Sequence, residues 1–474
     1  MSDESTKNMQ YHDFVKHTRD KLNKTGHGFC MAKWYHVSMH LHVGKNHSCY
    51  HPTPHKMNLD EIAQNPAALH NTKHKKLQRK MMLEGERPPE CQYCWAIEDL
   101  KGDNISDRHL RSSEPWAYKK IEETKNLPWD ADVNPSYLEL NFGNECQLKC
   151  SYCAPMASSS WFNETAKFGN WPLENRVNVG QYDIQSYLPE GTMYKREEGN
   201  PYIEAFWKWF PDVYPDLYTL RFTGGEPLLS SNVFKVIDYI KEHPKPDLQF
   251  DINSNMMIPK RNLEKFCLSV KELLDEKKIE RVKIYTSTDT WGPQAEWIRN
   301  GLNLETYEAN IDYMMNTIPN PRFGFMITFC LLAIPQFDKL LDKILELRRK
   351  YNDRAAGDHY YEQRVNFDTP YTVEPPHLTA RIADDWFIEK LESHLAYMHS
   401  LVDDDDCNKF STLEYMKFKR VVEWVKTNRY EGEELAVNRR DFARFVDEHD
   451  RRRGTDWHAA FPELKDFYLM CKNS

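Results

Sequence analysis

Six short stretches carry apolar or alternating apolar and polar residues bounded by turn-forming text, at 137–141, 217–222, 248–252, 281–287, 323–329 and 364–367. Period-two alternation predicts strands, and the helical spacing between them predicts right-handed crossovers joining parallel neighbours. The expected fold is therefore α/β: six strands and five connections forming an open, partial (β/α)6 TIM-like barrel. Sheets of this kind place their functional residues near the carboxyl ends of the strands. Beyond residue 384 the apolar positions recur three and four apart, as in DDWFIEKLESHLAYMHSL and EYMKFKRVVEWVKT, which predicts a helical C-terminal region. The expected divisions are a small cysteine-rich domain at 1–105, a connecting segment rich in turn residues at 106–134, the barrel at 135–380 and helices at 381–474. The stretch 157–214 is too long for a minimal crossover and reads as a substrate-facing insertion.

Composition narrows the partners. At 474 residues, 40% hydrophobic and 13% aromatic, the chain has enough apolar surface for several cores without disulfide help. Its net charge of −9 offers no broad cationic field, which disfavours nucleic acid as the main partner. The opening MSDESTKNMQYHDF lacks a basic and then apolar secretory pattern, and no apolar run approaches about 18 residues. A cytoplasmic protein with no membrane partner is expected. In a reducing compartment the 11 cysteines are better explained by metal or chemistry than by disulfides, and seven of them fall into two groups.

The first group lies in ELNFGNECQLKCSYCAP, where Cys146, Cys150 and Cys153 are separated by three and two residues. Three thiolates on one loop directly after a strand can hold three irons of a 4Fe-4S cube and leave the fourth open. Zinc would ordinarily want a fourth Cys or His nearby, and this loop contains none. The next strand ends in LRFTGGEPLL, so Gly224, Gly225 and Glu226 stand at its carboxyl end. Glycines there admit close backbone approach, and a carboxylate beside free backbone groups suits an ammonium ligand. A plain strand-to-helix turn uses the same residues.

Triad and Gly-Gly-Glu-Pro together resemble the radical S-adenosylmethionine (SAM) superfamily, over about residues 137–367. The resemblance implies that Cys146, Cys150 and Cys153 ligate a SAM-binding 4Fe-4S cluster and that Gly224, Gly225 and Glu226 bind the methionine amino group. It also implies reductive cleavage of SAM to a 5'-deoxyadenosyl radical, hydrogen abstraction from a substrate, and an external electron donor such as flavodoxin or ferredoxin. KIYTSTDTWGPQAEWIRNG is similar to a Ser-x-Asp segment of peptide-modifying members, which makes Ser287 and Asp289 candidates for the SAM ribose and Arg299 for its carboxylate. A helix cap is the competing reading of Ser287 and Asp289. Asn253, Ser254 and Asn255, in DINSNM, stand where the family often has Thr-Asn-Gly and line the SAM site by analogy.

The second group is Cys30 and Cys49, on either side of a hairpin-like pattern, with Cys91 and Cys94 in ECQYCW after a basic helical stretch at 74–86. Four thiolates so placed can close around one metal centre. This resembles the twitch domain, a shortened relative of the SPASM domain, which implies an auxiliary second 4Fe-4S cluster. In familiar members that domain follows the barrel, whereas here it precedes it. A structural zinc site of four cysteines, or with His47, His51 or His55 in substitution, stays open on spacing alone. The scattered histidines from His12 to His74 read as surface or structural residues, and Cys330 as a buried thiol.

The expected function is a radical SAM oxidoreductase acting on a peptide or protein side chain. The alternatives are radical modification of a small metabolite or an RNA nucleotide, and a zinc-stabilised binding protein without activity.

Overall fold

In the strand β4, Tyr137–Asn141, Leu138 and Leu140 are fully buried on one face, and Tyr137, Glu139 and Asn141 are nearly as buried on the other. The pleat sends alternate residues to opposite faces, so a strand buried on both must lie inside a sheet. It does. The computed structural model describes Met9 and residues 11–175, 197–351 and 364–474. In it, β4 belongs to a mostly parallel sheet of nine strands.

The other strands of that sheet are β1 (His36–His40), β2 (Lys45–His47), β3 (His55–Lys56), β6 (Thr219–Phe222), β7 (Gln249–Ser254), β8 (Arg281–Thr286), β10 (Arg322–Met326) and β11 (Val365–Asp368). Their order is β11-β10-β8-β7-β6-β4-β1-β2-β3. All six stretches expected to be strands are strands, within a few residues of the expected limits. A two-stranded ribbon is formed by β5 (Lys149–Cys150) and β9 (Arg299–Asn300). The chain divides into two compact units.

The first unit contains Met1–Gly143, Tyr194–Thr223 and Lys245–Phe250. Here β1 runs parallel to β4, with His36 opposite Tyr137 and His40 opposite Asn141, and β4 runs parallel to β6. The expected hairpin is β1 and β2, antiparallel, with Ser38 opposite His47. Its turn needs Gly44, whose φ is 62° and where a Cβ would overlap the Tyr202 ring. The segment 106–134, expected as a connection, folds into three short helices and puts Trp116, Ala117 and Ile121 into one core with Phe29, Trp34, Tyr35 and Met82. Burying each such large side chain stabilises by about 1.5–3 kcal/mol. Cys30, Cys49 and Cys91 pack against this core.

The second unit contains Asn144–Met193, Gly224–Pro244 and Asp251–Ser474. Strands β8, β10 and β11 are parallel neighbours. Helices alternate with them, and each buries one stripe: in Lys260–Asp275 the buried positions include Leu263, Phe266, Cys267, Val270 and Leu273. Residues 381–474 are mostly helical, with main helices Asp385–Ser400, Thr412–Thr427, Gly432–Arg453 and Lys465–Lys472. Ser411 and Glu414 start the second of these with a capping box, and Gly454, at φ 66°, ends the third. Among the described residues no helix is long and apolar enough to cross a membrane. The insertion expected at 157–214 lies partly outside the described residues.

Candidate functional site

The loop carrying Cys146, Cys150 and Cys153 is held by its main chain. Cys150 lies in β5 opposite Arg299 of β9, and the Ser151 N–H donates to the Ile298 carbonyl at 2.7 Å. Trp161 Nε1 donates to the Cys150 carbonyl at 2.8 Å, and Arg453 Nη1 to the Lys149 carbonyl at 2.8 Å. Arg453 is itself fixed by Glu164, both side chains being almost wholly buried. The Cys146 N–H donates to Ser159 Oγ at 3.1 Å, at the start of the helix Ser159–Phe168, which Ser158 caps. The Cys153 N–H closes a turn onto the Cys150 carbonyl at 2.9 Å.

These anchors bring the three thiols into one electrostatic neighbourhood. Burial, then the charge of Cys150, pushes Cys146 up to about 12. Burial followed by Cys150 and Cys146 raises Cys153, while Arg299 offsets part of the burial at Cys150. Left to themselves such thiols stay protonated, so holding them as thiolates calls for a metal. Two sulfurs already have donors: Asn255 Nδ2 lies 3.5 Å from Cys146 Sγ, and Arg299 Nη1 lies 3.5 Å from Cys150 Sγ.

The Gly-Gly-Glu-Pro turn packs on the same loop. A Cβ on Gly225 would meet the Asn144 carbonyl oxygen at 2.7 Å and overlap that of Glu145, so glycine is required. Gly224 has φ 130°, also glycine territory. The Glu226 N–H donates to the Glu145 carbonyl at 2.7 Å. Its carboxylate, 2% exposed, accepts from the Leu228 N–H at 3.1 Å and the Asn255 N–H at 2.7 Å. Burial outweighs these bonds and raises Glu226 from 4.5 to about 7.

That shift sets a pH dependence. Between 4.5 and about 7 the folded chain holds a proton at Glu226 that the unfolded chain has lost, so its stability contribution is full below 4.5 and lost as pH rises through 7. Against Glu226→Gln, which carries no such proton, metal-free wild type should lose roughly 3 kcal/mol across that window. Urea denaturation at a series of pH values checks this, and a constant difference between the two proteins would rule out a raised acid.

Asp289 and Arg299 form a buried pair, with side chains 0% and 5% exposed. Asp289 Oδ2 accepts from Arg299 Nε at 2.9 Å and the Tyr152 hydroxyl at 2.8 Å; Oδ1 accepts from Arg299 Nη2 at 3.0 Å and the Thr328 N–H at 2.9 Å. Protein donors thus fill the carboxylate expected to reach the SAM ribose. Arg299, expected at the SAM carboxylate, points one nitrogen at Cys150. Ser287 lies half-buried just beyond β8, and Asn253 half-buried in β7. Sequence reasoning set Asn255 beside the SAM site but missed it as a sulfur donor; only its position two residues after Asn253 hinted at it.

Cys30, Cys49, Cys91 and Cys94 line one cavity of about 430 Å³, including space open to solvent, together with Arg108 and Arg111. Burial raises all four thiols, Cys49 to about 11 and Cys91 to about 12, and the charges of Cys30 and Cys49 lift Cys91 and Cys94 further. Arg108 and Lys33 act in the opposite sense on Cys30. Four thiols flanked by buried cations suit an anionic metal group. Among the described residues no three of His, Cys, Asp and Glu stand close enough for a single metal ion. All eleven cysteines are free of disulfides. Three histidines of this region are bonded within the protein: His51 to Asp107, His55 to Thr72 and His74 to Glu90. Cys330 is fully buried.

The chain matches no known family model and no curated protein.

Proposed function

We propose that this chain is a radical SAM enzyme with two 4Fe-4S clusters that modifies a peptide or protein by hydrogen abstraction. The observation that carries it is the packing of the Gly224-Gly225-Glu226 turn onto the cysteine loop, so close that only glycine fits at 225. Cys146, Cys150 and Cys153 would hold the SAM-binding cluster. When bound, that group supplies the electron that cleaves the SAM sulfonium and releases the 5'-deoxyadenosyl radical. The protein's part is positional. Asn255 and Arg299 donate to two of the ligand sulfurs, and Glu226, whose burial raises its carboxyl to about 7, would offer the carboxylate to the SAM ammonium.

Strands β4, β6, β7, β8, β10 and β11 are read as the six strands of the partial barrel. Cys30, Cys49, Cys91 and Cys94 would hold the auxiliary cluster of a twitch-like segment. The peptide or protein substrate and the external electron donor follow from the family resemblance.

The test is metal and sulfide analysis of anaerobically reconstituted protein, with reductive SAM cleavage measured on the same sample. About eight irons and eight sulfides per chain, with 5'-deoxyadenosine formed, is the expected result. Zinc with no cleavage overturns the proposal. About four irons with cleavage keeps the enzyme and removes its auxiliary cluster.

A further inference from the structure

The cavity lined by the four N-terminal cysteines has a buried cation beside it that no ligand set requires. Lys33 follows Cys30 by one helical turn, its N–H donating to the Cys30 carbonyl at 3.1 Å. Its side chain is 2% exposed, and its ammonium is paired with Glu90, the residue before Cys91. The ammonium therefore lies between the segments carrying Cys30 and Cys91. Glu90 is 17% exposed and is held on its other oxygen by His74 Nε2 at 2.7 Å, a ring that is 43% exposed. One end of this chain of groups is buried at the thiols, and the other reaches solvent.

The geometry points to Lys33 as the residue that sets the reduction potential of the group held by Cys30, Cys49, Cys91 and Cys94, with Glu90 as its counter-charge. This inference rests on the reading of those four cysteines as cluster ligands. Reduction adds one negative charge to a cluster and its thiolates, and a fixed cation in a low-dielectric setting favours that state. Glu90 opposes it from a more solvated position, where its field is screened. The ion pair with Glu90 keeps Lys33 a cation. Arg108, the other deeply buried cation of the cavity, is held by both oxygens of Glu98 at 2.9 and 2.7 Å, a closer neutralisation than the single contact at Lys33.

The experiment is a redox titration of anaerobically reconstituted full-length protein, following by electron paramagnetic resonance the reduced signal that SAM does not alter. At the wild-type midpoint, Lys33→Met should lower the reduced-to-oxidised ratio about tenfold, equivalent to about 59 mV for one electron. Glu90→Gln should shift it in the opposite direction, and Lys33→Arg should restore the wild-type midpoint. Opposite signs are what a purely structural pair would not produce. An unchanged midpoint in Lys33→Met, or the same direction of shift in both variants, overturns the inference. If Lys33→Met does not load iron, the sign in Glu90→Gln decides alone: an upward shift supports the inference, and no shift or a downward one overturns it. Absence of the SAM-insensitive signal from wild type, with zinc in its place, overturns the cluster reading itself and the inference with it.

Discussion

Replacing Cys146, Cys150 and Cys153 together by alanine should abolish 5'-deoxyadenosine formation and lower bound iron from about eight to about four per chain. The expected loss is total because all three ligands come from one loop and their charges act on one another. The remaining iron should survive because Cys30, Cys49, Cys91 and Cys94 line a separate cavity in the first unit. The variant should also keep its fold. What anchors the loop is main chain: Ser151 N–H to Ile298, the Cys150 carbonyl to Trp161, the Cys146 N–H to Ser159. None of these bonds uses a thiol, and removing a small buried group costs only about 1 kcal/mol per methylene-sized volume. Iron and sulfide analysis, the SAM cleavage assay and a urea melt of metal-free protein check the three parts. Cleavage retained in the triple variant would defeat the assignment of the site.

The strands were readable because burial leaves a period. Leu138 and Leu140, or Phe250 and Ile252, alternate with polar residues, and the pleat turns that alternation into two faces. The triad and Gly-Gly-Glu-Pro were readable for a different reason: cluster ligation and close backbone approach each need particular residue types at short spacing. What could not be read was pairing across the chain. His36-Val-Ser-Met-His40 alternates in hydrophobicity, yet nothing in it says that it lies parallel to β4, so the cysteine-rich segment appeared separable when one of its strands is hydrogen-bonded to β4. Asp289 and Arg299 are ten residues apart, and Lys33 and Glu90 fifty-seven. Each pair is a product of register and of turns in three dimensions, and no local pattern encodes either. Ser-x-Asp near a strand exit therefore suggested a ligand contact where the fold builds a salt bridge.

That salt bridge carries a large expected stability effect. Asp289→Asn keeps the shape of the side chain but removes its charge and turns one acceptor into a donor, facing Arg299 at a site with both side chains almost wholly buried. An unpaired buried charge is left, and breaking such a pair from one side costs about 3–5 kcal/mol. The Tyr152 hydroxyl and the Thr328 N–H lose their charged acceptor in the same step. The loss should appear in urea unfolding of metal-free protein without SAM, where a residue needed only for the SAM ribose would show none. Arg299→Met added to Asp289→Asn should recover most of it, because replacing both members of a buried pair is far milder than removing one. Recovery of stability should not bring back the site. Arg299 lies opposite Cys150 across β5 and β9 and donates to its sulfur, so the double variant should fold yet bind the cluster of the triad less tightly. A metal-free protein indifferent to Asp289→Asn would instead return the carboxylate to the SAM ribose and leave Arg299 without its structural role.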